Sequence, residues 1–69
     1  MKTEIPRLRK ECKLSQGELA EAVGVTRQTI TSVETGKYVA SLQLAYKISH
    51  FFNLSIEDVF DFSDLEETK

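Results

Sequence analysis

The chain is predicted to fold as a single all-α domain of five short helices, and three observations carry that prediction. No segment sustains the apolar–polar alternation of a half-buried strand. Serine and threonine capping signals recur just ahead of helix-length segments. Residues 16–35, QGELAEAVGVTRQTITSVET, place a small residue, a glycine and a set of aliphatic residues at the offsets required by two steeply crossing helices.

Each element has its own local cause. Pro6 suits the first turn of a helix carrying Leu8, Arg9 and Cys12, which runs out near Lys13. Ser15, followed three residues later by Glu18, is a capping box. It opens a second helix with Leu19, Ala20 and Val23 on one face, which Gly24 stops. Thr26 caps a third helix with Ile30 and Val33 inward, ending around Thr35 and Gly36. Ser41 caps a fourth, LQLAYKISHFF, in which Leu42, Ala45, Ile48, Ser49 and Phe52 form one apolar stripe. Leu44, Ile48 and Phe51 form a second stripe, so this helix is expected at the centre of the domain. Ser55 with Asp58 opens a short fifth helix carrying Ile56, Val59 and Phe60.

Composition bounds the function. A chain of 69 residues is one domain with little material to enclose an active site. One histidine, His50, and one cysteine, Cys12, make neither a zinc set nor an internal disulfide, so no metal, no cofactor and no enzymatic role are expected. No apolar run approaches the roughly 18 residues of a spanning helix, and the N-terminus lacks the apolar stretch of a secretory signal. A cytoplasmic location without a membrane partner is the resulting expectation. The net charge of -2 argues at first against nucleic acid. It is unevenly spread: residues 1–56 carry a balance of +3, and residues 57–69 carry -5.

In the steep pair, Ala20 is small where the helices approach. Gly24 makes the turn, and Leu19, Val23, Val25, Ile30 and Val33 fill the wedge. This is a helix-turn-helix pattern. With Ile30 and Val33 inward, about 100° per residue turns Gln28, Ser32, Thr35 and more obliquely Thr31 outward. Arg27 reaches past the helix start. Arg, Gln, Ser and Thr are the side chains that form directed hydrogen bonds with base edges in a major groove, and a Thr methyl can touch thymine. Arg27, Gln28, Thr31 and Ser32 are therefore the candidate base contacts.

The segment LSQGELAEAVGVTRQTITSVETGKYVASLQLAYKISHFFNLSIEDVF resembles the phage-repressor-like (Cro/C1, XRE-type) helix-turn-helix family over about residues 5–60. The resemblance implies a compact, lambda-repressor-like five-helix domain. Its partner would be double-stranded operator DNA, and repression is the common sign of regulation. It gives Gln16 a phosphate contact beside the recognition helix. Base contacts fall on Arg27, Gln28, Thr31 and Ser32, and phosphate contacts on Thr35, Lys37 and Tyr38. Thr26 and Thr29, beside the reading face, complete the expected phosphate set. Arg9 and Glu34 match a pair that ties the first helix to the third. Val39 and Ala40 depart from the turn residues common at that loop.

A single such domain touches few base pairs, so a homodimer on a palindromic site is expected. The apolar surplus of Leu44, Phe51, Phe60, Phe62 and Leu65 makes these the candidate interface residues. The acidic run EDVFDFSDLEE, which leads into the short tail of residues 61–69, is expected on the face away from DNA, or as no more than a solubilising end. The competing reading is a protein-binding module, such as an antitoxin-like partner using the same fold.

Overall fold

A computed structural model of the chain describes residues 2–62. Five helices follow one another: α1 (Ile5–Glu11), α2 (Gln16–Val23), α3 (Arg27–Glu34), α4 (Leu42–Phe51) and α5 (Ile56–Val59). The helical expectation needs one addition. A two-residue strand β1 (Lys2–Thr3) pairs antiparallel with β2 (Phe60–Asp61), Lys2 opposite Asp61 and Thr3 opposite Phe60. Strands of two residues are too short to show alternation, so the sequence carried no signal for them. The ribbon, with the Glu4 amide donating to the Val59 carbonyl at 2.8 Å, brings the chain's start against the end of α5.

The capping signals do what their chemistry predicts. Ser15 and Ser55 each form a complete capping box, with Glu18 and Asp58 respectively. Thr26 accepts from the Thr29 amide, and Ser41 from the Leu44 amide. Gly24 ends α2 in the left-handed region at φ 79°, and the Val25 amide donates back to the Ala20 carbonyl at 2.9 Å. A β-carbon on Gly24 would meet nothing within 4 Å. The glycine is therefore required by the backbone dihedral and not by a lack of room for a side chain.

Leu19, Ala20 and Val23 of α2 and Ile30 and Val33 of α3 pack with Ile5, Leu8, Leu44, Ala45, Ile48, Val59 and Phe60 into one core. Ile5, at the first position of α1, is fully buried although no motif singled it out. It joins the same core as Val59 and Phe60 from the far end of the chain. Leu42 is a correction to the expected stripe on α4, being 77% exposed. It occupies the first turn of that helix, beyond the edge of the core. Phe51 is exposed as well, so α4 buries one face through Leu44, Ala45, Ile48 and Ser49 rather than much of its girth.

The interface expectation is corrected in the same way. Leu44 and Phe60 are 6% and 1% exposed, buried in the chain's own core and not on its surface. Phe62 packs half-buried against that core. Phe51 keeps a surface position, and Leu65 lies outside the described residues.

Ser49 is buried on α4, and its Oγ is the one buried side-chain polar atom among the described residues that lacks a hydrogen-bond partner. An unpaired buried hydroxyl costs about 1–3 kcal/mol. The Ser49→Ala variant is expected to melt several degrees higher in a thermal scan. An unchanged or lower midpoint would show that the hydroxyl is satisfied in solution.

Candidate nucleic-acid interface

The surface of interest is the outward side of α3. Ile30 and Val33 anchor it to the core, and the same 3.6-residue period that buries them exposes Gln28, while Arg27 is exposed as the first residue of the helix. Ser32 and Thr31 are half-buried on its flanks, and Thr35 is exposed just past the last turn. The structure thus brings all four expected base-reading residues onto one short helix.

A concavity lies on each side. Towards α2, Arg9, Ser15, Gln16, Gly17 and Arg27 line a hollow at the start of that helix. The first amides of a helix have no partner within it and carry the positive end of its dipole, so this hollow suits an anion. A β-carbon on Gly17 would touch only Ser15 Oγ at 3.9 Å, which leaves the hollow open on that side. On the other side, Thr26, Gln28, Thr29, Ser32 and Tyr38 line a second hollow. A third adjoins it, lined in part by Thr29, Tyr38, Ser41, Gln43 and Lys47. Gln43 and Lys47 were missed by the sequence reading: they belong to α4, and only the tertiary fold sets that helix beside the loop after α3.

Behind α3 runs a hydrogen-bonded chain. Arg9 Nε donates to Glu34 Oε2 at 2.6 Å and Arg9 Nη2 to Glu34 Oε1 at 3.1 Å, a two-pronged ion pair. Arg9 Nη1 also donates to the Leu14 carbonyl at 3.0 Å, which fixes the turn between α1 and α2. The side chains are 18% and 6% exposed, so the pair is a partly buried strut between the first and third helices, the tie that the family resemblance implied. Gln16 Nε2 then donates to Glu34 Oε1 at 3.0 Å, and Thr31 Oγ1 donates to Gln16 Oε1 at 3.0 Å. One of the two Gln16 amide protons is thereby committed to Glu34, and the other remains for an anion in the hollow.

Hydrogen-bond donors sort the expected phosphate residues. A phosphate only accepts, so each must offer a proton. Thr26 and Thr29 share one proton between hydroxyls 3.0 Å apart, which leaves the pair one to give. Thr35 donates to the Thr31 carbonyl at 3.0 Å, so its proton is already used by the helix. Gly36, at φ 80°, turns the chain so that the Lys37 and Tyr38 amides both donate to the Ser32 carbonyl, at 3.0 and 3.2 Å. Lys37 and Tyr38 can therefore contribute through their exposed side chains, not through the backbone.

Comparison with known proteins agrees with this architecture. The helix-turn-helix family model matches residues 7–59. An uncharacterized HTH-type transcriptional regulator of Archaeoglobus fulgidus is 50% identical over 66 residues, spanning 96% of this chain and 93% of its own length. Another, YgzD of Bacillus subtilis, is 50% identical over 60 residues, spanning 87% and 91%. Among solved structures, the N-terminal DNA binding domain of SinR from Bacillus subtilis aligns with a TM-score of 0.71 at 33% identity, covering 78% of this chain and 80% of that one. With the capped helix pair, the glycine turn and the Arg9–Glu34 strut all in place, the chain belongs to the helix-turn-helix family of the Cro/C1, XRE type.

Proposed function

We propose that the protein is a sequence-specific regulator of transcription that binds double-stranded DNA as a homodimer. It reads the major groove with α3 and represses by occupying promoter sequence. One observation carries the reading: a short helix presents Arg27, Gln28 and Ser32 outward between two hollows that offer donors to phosphates on either side. A major groove admits one such helix, and backbone contacts on its flanks would set the register in which the helix reads bases. The relatives named as transcriptional regulators and the DNA binding domain of SinR support the same reading. Among the described residues no helix is long and apolar enough to cross a membrane. Operator binding would take place in the cytoplasm.

Two copies on half-sites about 34–36 Å apart would extend a footprint of a few base pairs to a full operator. With Leu44 and Phe60 inside the core, Phe51 becomes the main remaining candidate for the contact, with its exposed neighbours Tyr46 and Leu54. Selection of bound duplexes from a random pool tests the whole proposal. It should return a half-site repeated with two-fold symmetry. Binding should weaken steeply with salt, the slope of log Kobs against log salt concentration being about -0.9 per neutralised phosphate. A pool that returns no preference, with affinity flat in salt, would favour the protein-binding reading.

Two substitutions divide the face by role. Gln28→Ala should cost about 1–3 kcal/mol on the selected duplex and relax preference at one position. Gln16→Ala should weaken binding to every sequence alike. Repeating the selection with each variant checks both, and an unchanged consensus for Gln28→Ala would remove that residue from base recognition.

A further inference from the structure

The hydrogen-bonded chain that begins at Arg9 has one possible direction, and it ends on the reading face. Arg9 has only donors, so Glu34 accepts from it through both oxygens. An ionised carboxylate has no proton to give. The Gln16 atom 3.0 Å from Glu34 Oε1 must therefore be the amide nitrogen. That places the amide oxygen against Thr31, and an amide oxygen only accepts, so the Thr31 hydroxyl is the donor across 3.0 Å. The other neighbour of Thr31 Oγ1 is the Arg27 carbonyl at 3.1 Å, again an acceptor. A hydroxyl has a single proton. Whichever acceptor takes it, that proton is held by the protein's own carbonyl or amide oxygen and is not offered to a guanine O6 or N7 or a thymine O4.

From this we infer that Thr31 determines specificity through its methyl group, recognising the 5-methyl of a thymine, while the Arg9–Glu34–Gln16 chain keeps its hydroxyl proton from base acceptors. The inference rests on α3 being the element that enters the major groove. Ser32, the next residue, makes no side-chain hydrogen bond among the described residues and keeps its proton for a base. Neighbouring hydroxyl residues on one helix thus acquire opposite roles. The same bond fixes the Gln16 amide beside the phosphate hollow.

The test starts from the duplex selected in the random-pool experiment and replaces its thymines by deoxyuridine one at a time, which removes only the methyl group. Wild-type affinity should fall about fourfold per half-site at one thymine, the worth of one buried methyl. Thr31→Val keeps the methyl and removes the hydroxyl. It should retain that uracil sensitivity while binding every sequence more weakly, because Gln16 loses its partner. Thr31→Ser keeps the hydroxyl chain and should bind without the sensitivity. Circular dichroism checks that both variants are folded, and the wild-type arm needs no variant at all. Affinity indifferent to uracil at every position would overturn the inference. So would sensitivity that survives in Thr31→Ser, or base preference that Thr31→Val loses and Thr31→Ser keeps. Absence of any selected duplex is a separate outcome, which removes the reading of α3 itself and this inference with it.

Discussion

Glu34→Ala is expected to lower the unfolding free energy by about 2–4 kcal/mol, because it strands the Arg9 guanidinium in a partly buried site without its counter-charge. A domain of this size rarely has more than about 3–5 kcal/mol in hand, so the variant should be largely unfolded near physiological temperature. Urea denaturation at low temperature measures the loss. The double variant Arg9→Met, Glu34→Leu separates stability from positioning: an apolar replacement of a buried pair restores much of the stability. It also leaves Gln16 without the acceptor that orients its amide. Stability should therefore recover while affinity for all duplexes stays depressed. A single variant that unfolds within about 0.5 kcal/mol of wild type would mark the pair as an ordinary solvated one, of the kind usually worth little.

Phe60→Ala should cost about 3–5 kcal/mol, the usual consequence of emptying a large aromatic site that the surrounding residues cannot refill. Phe60 is fully enclosed by the core and belongs to the strand that holds the N-terminus. The loss should be the same at every protein concentration, because the side chain packs within one protomer. A variant that stays folded but dissociates on dilution would instead return Phe60 to the partner interface. Phe51→Ala is the natural control, since that side chain is exposed on α4 and its removal should leave monomer stability nearly unchanged.

The parts of this fold legible in the sequence are those whose causes lie within a few residues. Ser15 with Glu18, Thr26, Ser41 and Ser55 with Asp58 each announce a helix start, because a cap joins a side chain to an amide three residues on. Ile30 and Val33 orient α3 by periodicity alone, so the outward position of Gln28 and Ser32 follows from the same period, and Arg27 reaches out from the helix start. The Arg9–Glu34 pair spans 25 residues and came from resemblance to a family, not from spacing.

Burial that depends on which segments meet was not legible. Leu42, Leu44 and Phe51 all look apolar on α4, yet only Leu44 faces the core, because the positions of α2 and α5 decide which arc of that helix is covered. The ribbon between Lys2–Thr3 and Phe60–Asp61, the burial of Ile5 and the approach of Lys47 to the loop after α3 have the same origin.

The sequence by itself determined the five helices, the turn at Gly24 and the identity of the polar face on α3, since each arises from chemistry local to the chain. Only the tertiary structure decided what that face can offer. It joined Arg9, Glu34, Gln16 and Thr31 from three helices into one directed chain of donors and acceptors. Where a hydroxyl proton points depends on what surrounds the oxygen in space, and sequence neighbours alone do not specify those surroundings.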